Sequence, residues 1–125
     1  KKYDLKVSLG LHPHRKEAKK LRSRNRHIIT KIINKQNLIE STFIKLFGCS
    51  SKVFIARFEK IFKEYPGMGW HNYGAWQMDH IKPLKEFKLN TEANRKLANR
   101  YTNLRPEWAL TNMQKSSKYE MEQTI

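Results

Sequence analysis

Two short strand-like runs in the second half of the chain constrain its fold more than any other feature. Residues 76–81 and 102–105 mix apolar and polar side chains over the length of a short strand. A proline follows each run, Pro83 after the first and Pro106 after the second, and proline rarely continues a strand within a sheet. Helical patterns occupy most of the remaining chain. The sequence therefore predicts an α+β fold with two short strands.

The segments around these runs space their apolar residues as helices do. In residues 15–35 the aliphatic side chains fall on one face and basic side chains crowd the others. Gly48 should end a short helix, and Ser50 or Ser51 should cap the next one. Helices are predicted over residues 15–35, 41–47, about 50–62, 91–100 and 109–120. The inward-facing residues expected on the last two are Leu97, Ala98, Leu110, Met113 and Tyr119.

A glycine-rich aromatic segment, residues 67–75, separates the early helices from the first strand-like run. It lacks the spacing of a phosphate-cradling loop. Its Trp70 and Tyr73, together with Trp76, are expected to pack against the core. Residues 1–14 are harder to assign, although alternation over residues 3–9 could indicate another short strand.

The chain is strongly basic, and the excess lies mainly in its first half. Of 125 residues, 26 are Lys or Arg and 11 are Asp or Glu, a formal net charge of +15. Residues 1–66 hold 17 of the basic and 5 of the acidic residues, which suggests a polyanion partner because bound Lys and Arg release counterions from phosphates. We expect a basic, mainly helical DNA-binding extension over 1–66, with Arg22, Arg24 and Arg26 as contacts. A merely solvated basic face also fits this pattern, whereas an anionic membrane fits less well.

Cys49 is the only cysteine. No disulfide can form within the chain, and a zinc site built from several cysteines is excluded. We expect Cys49 to pack as a small buried apolar residue. The sequence has no apolar run of the roughly 20 residues needed to span a bilayer and no leader-like run near its start. An intracellular rather than secreted protein is therefore expected.

Asp79 and His80 stand side by side at the end of the first strand-like run and indicate hydrolytic chemistry. An imidazole titrates near neutral pH and can take a proton from water as general base. A divalent cation can neutralise a phosphate and stabilise the leaving oxygen, and Asp79 can bind such a cation. Neighbouring strand residues point to opposite faces, so the two side chains should have separate partners.

Two asparagines follow at positions that complement this pair. Asn112, in the last predicted helix, could give the cation a second oxygen ligand. A carboxylate with an amide oxygen favours Mg²⁺, with Mn²⁺ as the second choice, over zinc. Asn103 lies at the start of the second strand-like run, and its amide should bind backbone groups of the loop after His80 and hold that loop in position.

Five ordered blocks of this sequence resemble the HNH, or ββα-metal, endonuclease family of phages and large DNA viruses. They are Leu46–Ser50, Gly67–Gly74, Trp76–Leu84, Tyr101–Ala109 and Asn112–Lys115. The resemblance implies that His80 is the general base, Asp79 and Asn112 the metal ligands, and Asn103 the loop-orienting residue. This chain departs from the founding pattern at Asn112, where that pattern has histidine. The chain is therefore a His-Asn-Asn variant. Gln77 also stands where many relatives carry histidine.

The resemblance implies a ββα-metal nuclease unit over 67–125 that hydrolyses phosphodiester bonds of double-stranded DNA. A single site would nick one strand and leave 5′-phosphate and 3′-hydroxyl ends, so the protein would act as a monomer or as a dimer assembled on DNA. The further DNA contacts expected in this unit are Arg105, Lys115 and Lys118. The alternative is a non-catalytic DNA- or RNA-binding module on the same fold.

Overall fold

A computed structural model describes residues 14–113 of the chain. This part contains four helices, α1 (Arg15–Ile33), α2 (Glu40–Phe47), α3 (Ser51–Phe62) and α4 (Glu92–Ala98), and two strands, β1 (Trp76–His80) and β2 (Leu104–Trp108). Residues 109–113, directly after β2, are also helical. Helices and a two-stranded antiparallel sheet together confirm the α+β class. The strand considered for residues 3–9 and the inward position expected for Tyr119 lie outside the described residues.

Helix α1 is amphipathic, as its sequence predicts. Its buried face consists of Ala18, Leu21, Asn25, Ile28 and Ile29, at intervals of three, four or one residue that keep them on one side of a helix. Ile32 and Ile33 are half-buried against the core, and most of the other side chains, many of them basic, face solvent. The one polar member of the buried face, Asn25, is only 2% exposed, and a buried amide in an apolar stripe needs hydrogen-bond partners.

The junction between α2 and α3 follows local sequence signals. Gly48 adopts a left-handed conformation with φ of 73° at the end of α2, which glycine tolerates better than any other residue. Ser50 caps α3 by accepting a hydrogen bond from the N–H of Val53 at 3.2 Å. Glu40, at the start of α2, accepts hydrogen bonds from both the N–H and the hydroxyl of Ser51. These bonds join the N-terminal ends of the two helices.

An aromatic core joins the helices to the sheet. Phe58 stacks on Phe54 with ring centroids 4.7 Å apart, and it also lies against Trp76 of β1 at 6.1 Å. Trp70 and Tyr73 pack against Trp76 at 5.9 Å and 4.9 Å, which confirms their expected role in the core. The buried residues of this cluster are Ile28, Ile29, Phe43, Phe47, Cys49, Phe54, Phe58, Phe62, Met68, Trp76 and Leu104. Residues from both halves of the chain thus share one core.

Cys49 is a member of that cluster and is 9% exposed, as expected for a small apolar residue. Desolvation by burial raises the pKa of its thiol above the ordinary value. A thiol that stays protonated is a poor nucleophile and a poor metal ligand. Its place in this protein is therefore structural.

Pro106 lies inside β2, opposite Met78, and the prediction that it would bound the strand is wrong. The N–H of Ile81 donates to the carbonyl of Asn103 at 2.9 Å, so every second pair from there along the antiparallel ladder is hydrogen bonded. The Met78–Pro106 pair falls between those pairs. Proline has no N–H to donate, and at this position none is needed.

Three apolar residues expected to face inward are exposed instead. Leu97 is 54% exposed, Leu110 63% and Met113 61%. On α4 the neighbouring Ala98 is fully buried, and residues one apart on a helix point about 100° away from each other. The short helix therefore buries one of these neighbours and exposes the other. After β2, it is Asn112 that contacts the sheet, through Gln77.

None of the helices within residues 14–113 is both long enough and apolar enough to cross a membrane.

Candidate active site

The last two residues of β1 form the centre of the candidate site. Asp79 is 6% exposed and His80 7%, an unusual degree of burial for adjacent ionisable side chains. Because successive strand residues point to opposite faces of a sheet, the two side chains meet different partners. Asp79 contacts the neighbouring strand, whereas His80 contacts a helix. The separate environments that the sequence predicted for the two are present.

Asp79 forms an ion pair with Arg105, directly opposite it on β2. The guanidinium Nε donates to Asp79 Oδ2 at 3.0 Å, and the Arg105 side chain keeps 32% exposure against 7% for Asp79. The carboxylate is thus held against a partly exposed cation. Arg105, expected from the sequence as a DNA contact, lies within the site itself.

The same face of the sheet carries Gln77, two residues before Asp79, and Glu107 opposite it. Asn112 Nδ2 lies 3.5 Å from Gln77 Oε1, which places the helical residues after β2 over this face. Glu107 is 7% exposed and accepts a hydrogen bond from its neighbour's N–H at 2.8 Å. The two predicted metal ligands, Asp79 and Asn112, therefore belong to one side of the sheet.

His80 faces the opposite way, towards α4 and α1. Its Nε2 lies 3.0 Å from Oδ1 of Asn99, the residue that caps the C-terminal end of α4. Asn99 in turn exchanges two hydrogen bonds with Asn25 of α1, at 2.8 Å and 3.1 Å. Both amides are almost completely buried, Asn99 at 1% and Asn25 at 2% exposure. The imidazole is therefore held by a chain of polar groups that runs into the helical layer.

Asn103 makes the contacts expected of a loop-orienting residue. Its Oδ1 accepts from the N–H of Lys82 at 2.8 Å, and its Nδ2 donates to the Lys82 carbonyl at 3.2 Å and to the Ala98 carbonyl at 2.8 Å. One amide thus satisfies both backbone groups of a residue two positions after His80. The segment that leaves β1 is fixed to the end of α4 and the start of β2.

Arg57 of α3 supports the same segment from the helical side. Its Nε donates to the carbonyl of Leu104 at 3.0 Å, and its Nη2 donates to that of Thr102 at 3.3 Å. These bonds flank Asn103 and stabilise the turn that presents it. Sequence reasoning assigned no role to Arg57, because its partners are backbone groups more than 40 positions away.

Asn25 and Asn99 are the other functional candidates that the sequence analysis missed. A signal for Asn25 was present: it interrupts the apolar stripe of α1 at a position where an apolar residue would be expected. No local pattern marks Asn99, which follows the last residue of α4. Only the fold brings these two side chains together across 74 positions of sequence.

The donor chemistry on the Asp79 face fits a hard divalent cation better than zinc. The oxygen donors there include the carboxylate of Asp79 and the amide of Asn112, the type of set that Mg²⁺ prefers. Within residues 14–113 no three His, Cys, Asp or Glu side chains are grouped so as to hold a metal ion, and Mg²⁺ commonly takes only one or two protein ligands. Arg105 holds the carboxylate in the structure as described and would have to share it with the metal.

Of the predicted DNA contacts on α1, Arg24 lines a basic cavity, whereas Arg22 and Arg26 are not part of its lining. The pKa of Arg22 is lowered, first by burial and then by repulsion from Arg26 and Arg15, so these like charges crowd one another. Arg24 lines a cavity of about 380 Å³ between α1, α2 and α4. Its charged lining residues are Glu17, Lys20, Arg24, Lys45, Glu92, Arg95 and Lys96, and Asn99 also borders it. The cavity is net positive and adjoins the polar chain behind His80. Lys115 and Lys118 lie outside the described residues.

The structure brings Asp79, His80 and Asn103 together around the end of β1, with Asn112 on the Asp79 face of the same sheet. Comparison with known protein families, with curated proteins and with solved structures found no match to this chain. The functional assignment therefore depends on the contacts of these residues and on their chemistry.

Proposed function

We propose that this protein is a metal-dependent DNA endonuclease of the HNH type, with His80 as its general base. One observation carries the proposal: an adjacent carboxylate and imidazole are buried at the end of a strand, and each is oriented by a partner of its own. Burying two ionisable groups side by side costs stability. Buried ionisable groups held by specific partners are candidates for a functional site.

In the proposed reaction, His80 removes a proton from a water molecule, whose oxygen attacks the phosphorus of a phosphodiester bond. The bond from phosphorus to the 3′ oxygen breaks, and that oxygen takes up a proton to leave a 3′-hydroxyl opposite a 5′-phosphate. A divalent cation held by Asp79 and Asn112 would supply positive charge for the phosphate and the leaving oxygen. Asn103 keeps the segment after His80 in place, and Arg105 offers a further cation beside the phosphate.

The two strands and the helical residues 109–113 have the chain order of a ββα unit, which supports the HNH assignment. Asn112 contacts the sheet from that helical segment, on the face that carries Asp79. In this proposal the ββα-metal unit occupies 67–125. The region 1–66 supplies helices that pack on the other face, and Asn25 of α1 hydrogen-bonds to Asn99, which contacts His80.

The basic surface supports DNA as the substrate. The chain carries a formal net charge of +15, and the cavity between α1, α2 and α4 gathers five of its lysines and arginines against two glutamates. Lys and Arg side chains that neutralise phosphates release the cations condensed on DNA, so such a surface binds DNA more tightly at low salt. Asn99 borders the cavity and contacts His80. Phosphates of the DNA backbone bound in the cavity would therefore lie close to the proposed general base.

The proposal is tested on supercoiled plasmid. We expect the protein to convert it to the nicked form with Mg²⁺ or Mn²⁺, to stop when EDTA is added, and to leave ends that accept label at the 5′ position only after phosphatase treatment. An Asp79→Ala protein purified in parallel shows whether a contaminating nuclease is responsible. Equal nicking by both proteins, or nicking that survives EDTA, would contradict the proposal.

The competing function is binding without catalysis, to DNA or to RNA. It is distinguished by a gel-shift assay with a DNA duplex and an RNA duplex of the same sequence. Retardation without any cleavage in Mg²⁺ or Mn²⁺ would favour a binding module. Preferential retention of the RNA would identify RNA rather than DNA as its partner.

A further inference from the structure

The polar chain behind His80 has a definite direction. Oδ1 of Asn99 lies 3.0 Å from His80 Nε2 and also accepts a hydrogen bond from Asn25 Nδ2 at 2.8 Å. Nδ2 of Asn99 donates to Asn25 Oδ1 at 3.1 Å and to the Leu46 carbonyl at 3.4 Å. Every polar atom of the Asn99 side chain therefore has a partner inside the protein.

The carbonyl of Leu46 decides which way the amide of Asn99 points. Asn25 and Asn99 could both be turned over and still exchange two hydrogen bonds, because an amide pair is symmetric in that respect. A turned Asn99 would, however, direct its Oδ1 at the Leu46 carbonyl, and two acceptors repel. With Nδ2 towards Leu46, the atom presented to His80 is an oxygen, which can only accept.

We propose that Asn99, held by Asn25, is the positioning residue that fixes the tautomer of His80, that is, which ring nitrogen of the neutral imidazole carries the proton. An acceptor 3.0 Å from Nε2 stabilises the imidazole form that carries its proton on Nε2. In neutral histidine the lone pair then lies on Nδ1, because the hydrogen bond at one ring nitrogen sets the state of the other. This inference rests on the proposed function, in which His80 is the general base.

The helical region is thereby part of the reacting site and does more than bind substrate. Asn25 belongs to α1 and Asn99 to the end of α4, so residues of two helices orient the imidazole. A purely structural role would be filled as well by apolar side chains of similar size, because the net gain from a buried amide pair is small. The orientation that the two buried amides impose on His80 explains why amides, and not apolar side chains, lie next to it.

The first test needs no variant and no nuclease activity. Two-bond proton–nitrogen NMR correlations of the whole protein, recorded at alkaline pH where imidazoles are neutral, report which nitrogen of His80 carries the proton. We expect the proton on Nε2. A proton on Nδ1 would overturn the proposal, because Asn99 would then have to donate to Nε2.

The second test compares Asn99→Ala with Asn94→Ala. Asn94 lies on the same helix, and its Nδ2 donates to the Lys88 carbonyl at 2.8 Å without reaching His80. For Asn99→Ala we expect a loss of the Nε2 preference and a roughly 10- to 100-fold fall in kcat for nicking, the size typical of lost orienting partners, with little change in KM. Asn94→Ala should change neither the NMR signature nor kcat. Equal effects from both variants would make Asn99 merely structural.

If Asn99→Ala fails to fold, Asn25→Ala removes the next member of the chain and should weaken the Nε2 preference while leaving the Asn99–His80 pair in place. An unchanged tautomer and kcat in a folded Asn25→Ala protein would overturn the role given to Asn25. The two proposals fail separately. A protein with the proton on Nε2 that never nicks DNA refutes the nuclease assignment alone, whereas a nicking protein with the proton on Nδ1 refutes the positioning role alone.

Discussion

At the scale of single residues, Asn103 shows how one side chain can hold a reactive loop. Its amide makes three hydrogen bonds to backbone groups of Lys82 and Ala98. Removing it would break all three bonds. Water can replace those to the exposed Lys82, whereas the bond to the Ala98 carbonyl is part-buried, and a buried group left unsatisfied costs about 1–3 kcal/mol. The loop after His80 would then lose its attachment to β2 and α4.

We therefore expect Asn103→Ala to lower the free energy of unfolding by about 1–3 kcal/mol and to reduce nicking further than this loss of stability explains. Urea unfolding and the nicking rate at a temperature where the variant is folded give the two quantities. Asn34→Ala is a matched control, since Asn34 is exposed at the end of α1 and its cap contacts are made by its backbone N–H. An Asn103→Ala protein as stable and as active as the control would contradict this role.

The sequence alone was sufficient to predict the contacts of residues whose placement depends on local geometry. The two-residue period of a strand predicted that Asp79 and His80 would have different partners, and the contact between Asn103 and the loop after His80 followed from its place at the second strand. It was insufficient for Asn99, whose partner Asn25 lies 74 positions away. The ion pair of Arg105 with Asp79 depends in the same way on the register of two distant segments.

At the scale of elements, local sequence signals predicted most helix boundaries correctly. The predictions were wrong where tertiary packing or strand pairing determined the position of a residue. Gly48 and Ser50 end α2 and begin α3 as predicted, because caps and left-handed turns act within a few residues. Pro106 was misjudged, since proline is excluded only from pairs that need its N–H. The exposure of Leu97 was missed because a seven-residue helix can bury only a narrow side.

The α2–α3 junction makes the stability of the protein depend on pH in the acid range. Hydrogen bonds from the hydroxyl and the N–H of Ser51 lower the pKa of Glu40 below the ordinary value. A carboxylate with a lowered pKa in the folded state stabilises the protein above its unfolded pKa, and the effect is lost as the pH falls through the folded pKa. Glu40→Gln should therefore melt below the parent at neutral pH and approach it in acid.

Thermal melting from neutral to acid pH measures this difference. Ser51→Ala keeps the Glu40 carboxylate but removes its hydroxyl donor, so the melting temperature of this variant should depend less on pH than that of the parent protein. A gap between Glu40→Gln and the parent that stays constant across the range would show that the junction does not depend on the charge of Glu40.

At the scale of the whole molecule, the helical region and the sheet are parts of one folded body. Phe54 and Phe58 of α3 lie in the same buried cluster as Trp76 of β1 and Leu104 of β2. A two-stranded sheet without such support is marginally stable at best. The nuclease unit proposed from the sequence thus depends on the region proposed to bind DNA.

Residues 67–125 expressed alone should for this reason lack a cooperative unfolding transition and show the narrow amide dispersion of an unfolded chain. Adding residues 1–66 as a separate fragment should restore dispersion, because the shared aromatic core can then form. Circular dichroism and proton–nitrogen NMR spectra provide the measurement. A fragment 67–125 that folds cooperatively by itself would contradict a shared core.

If His80 activates water for DNA cleavage, its removal should slow single-turnover nicking of supercoiled plasmid in Mg²⁺. The comparison is between the parent, His80→Ala and His71→Ala, because His71 is exposed in the segment before β1 and has no part in the proposed reaction. Melting curves confirm that all three are folded. We predict a fall of at least about 100-fold for His80→Ala, the scale of a lost general base, and an unchanged rate for His71→Ala. A His80→Ala protein that nicks within twofold, a factor worth only about 0.4 kcal/mol in the barrier, of the parent would contradict the claim.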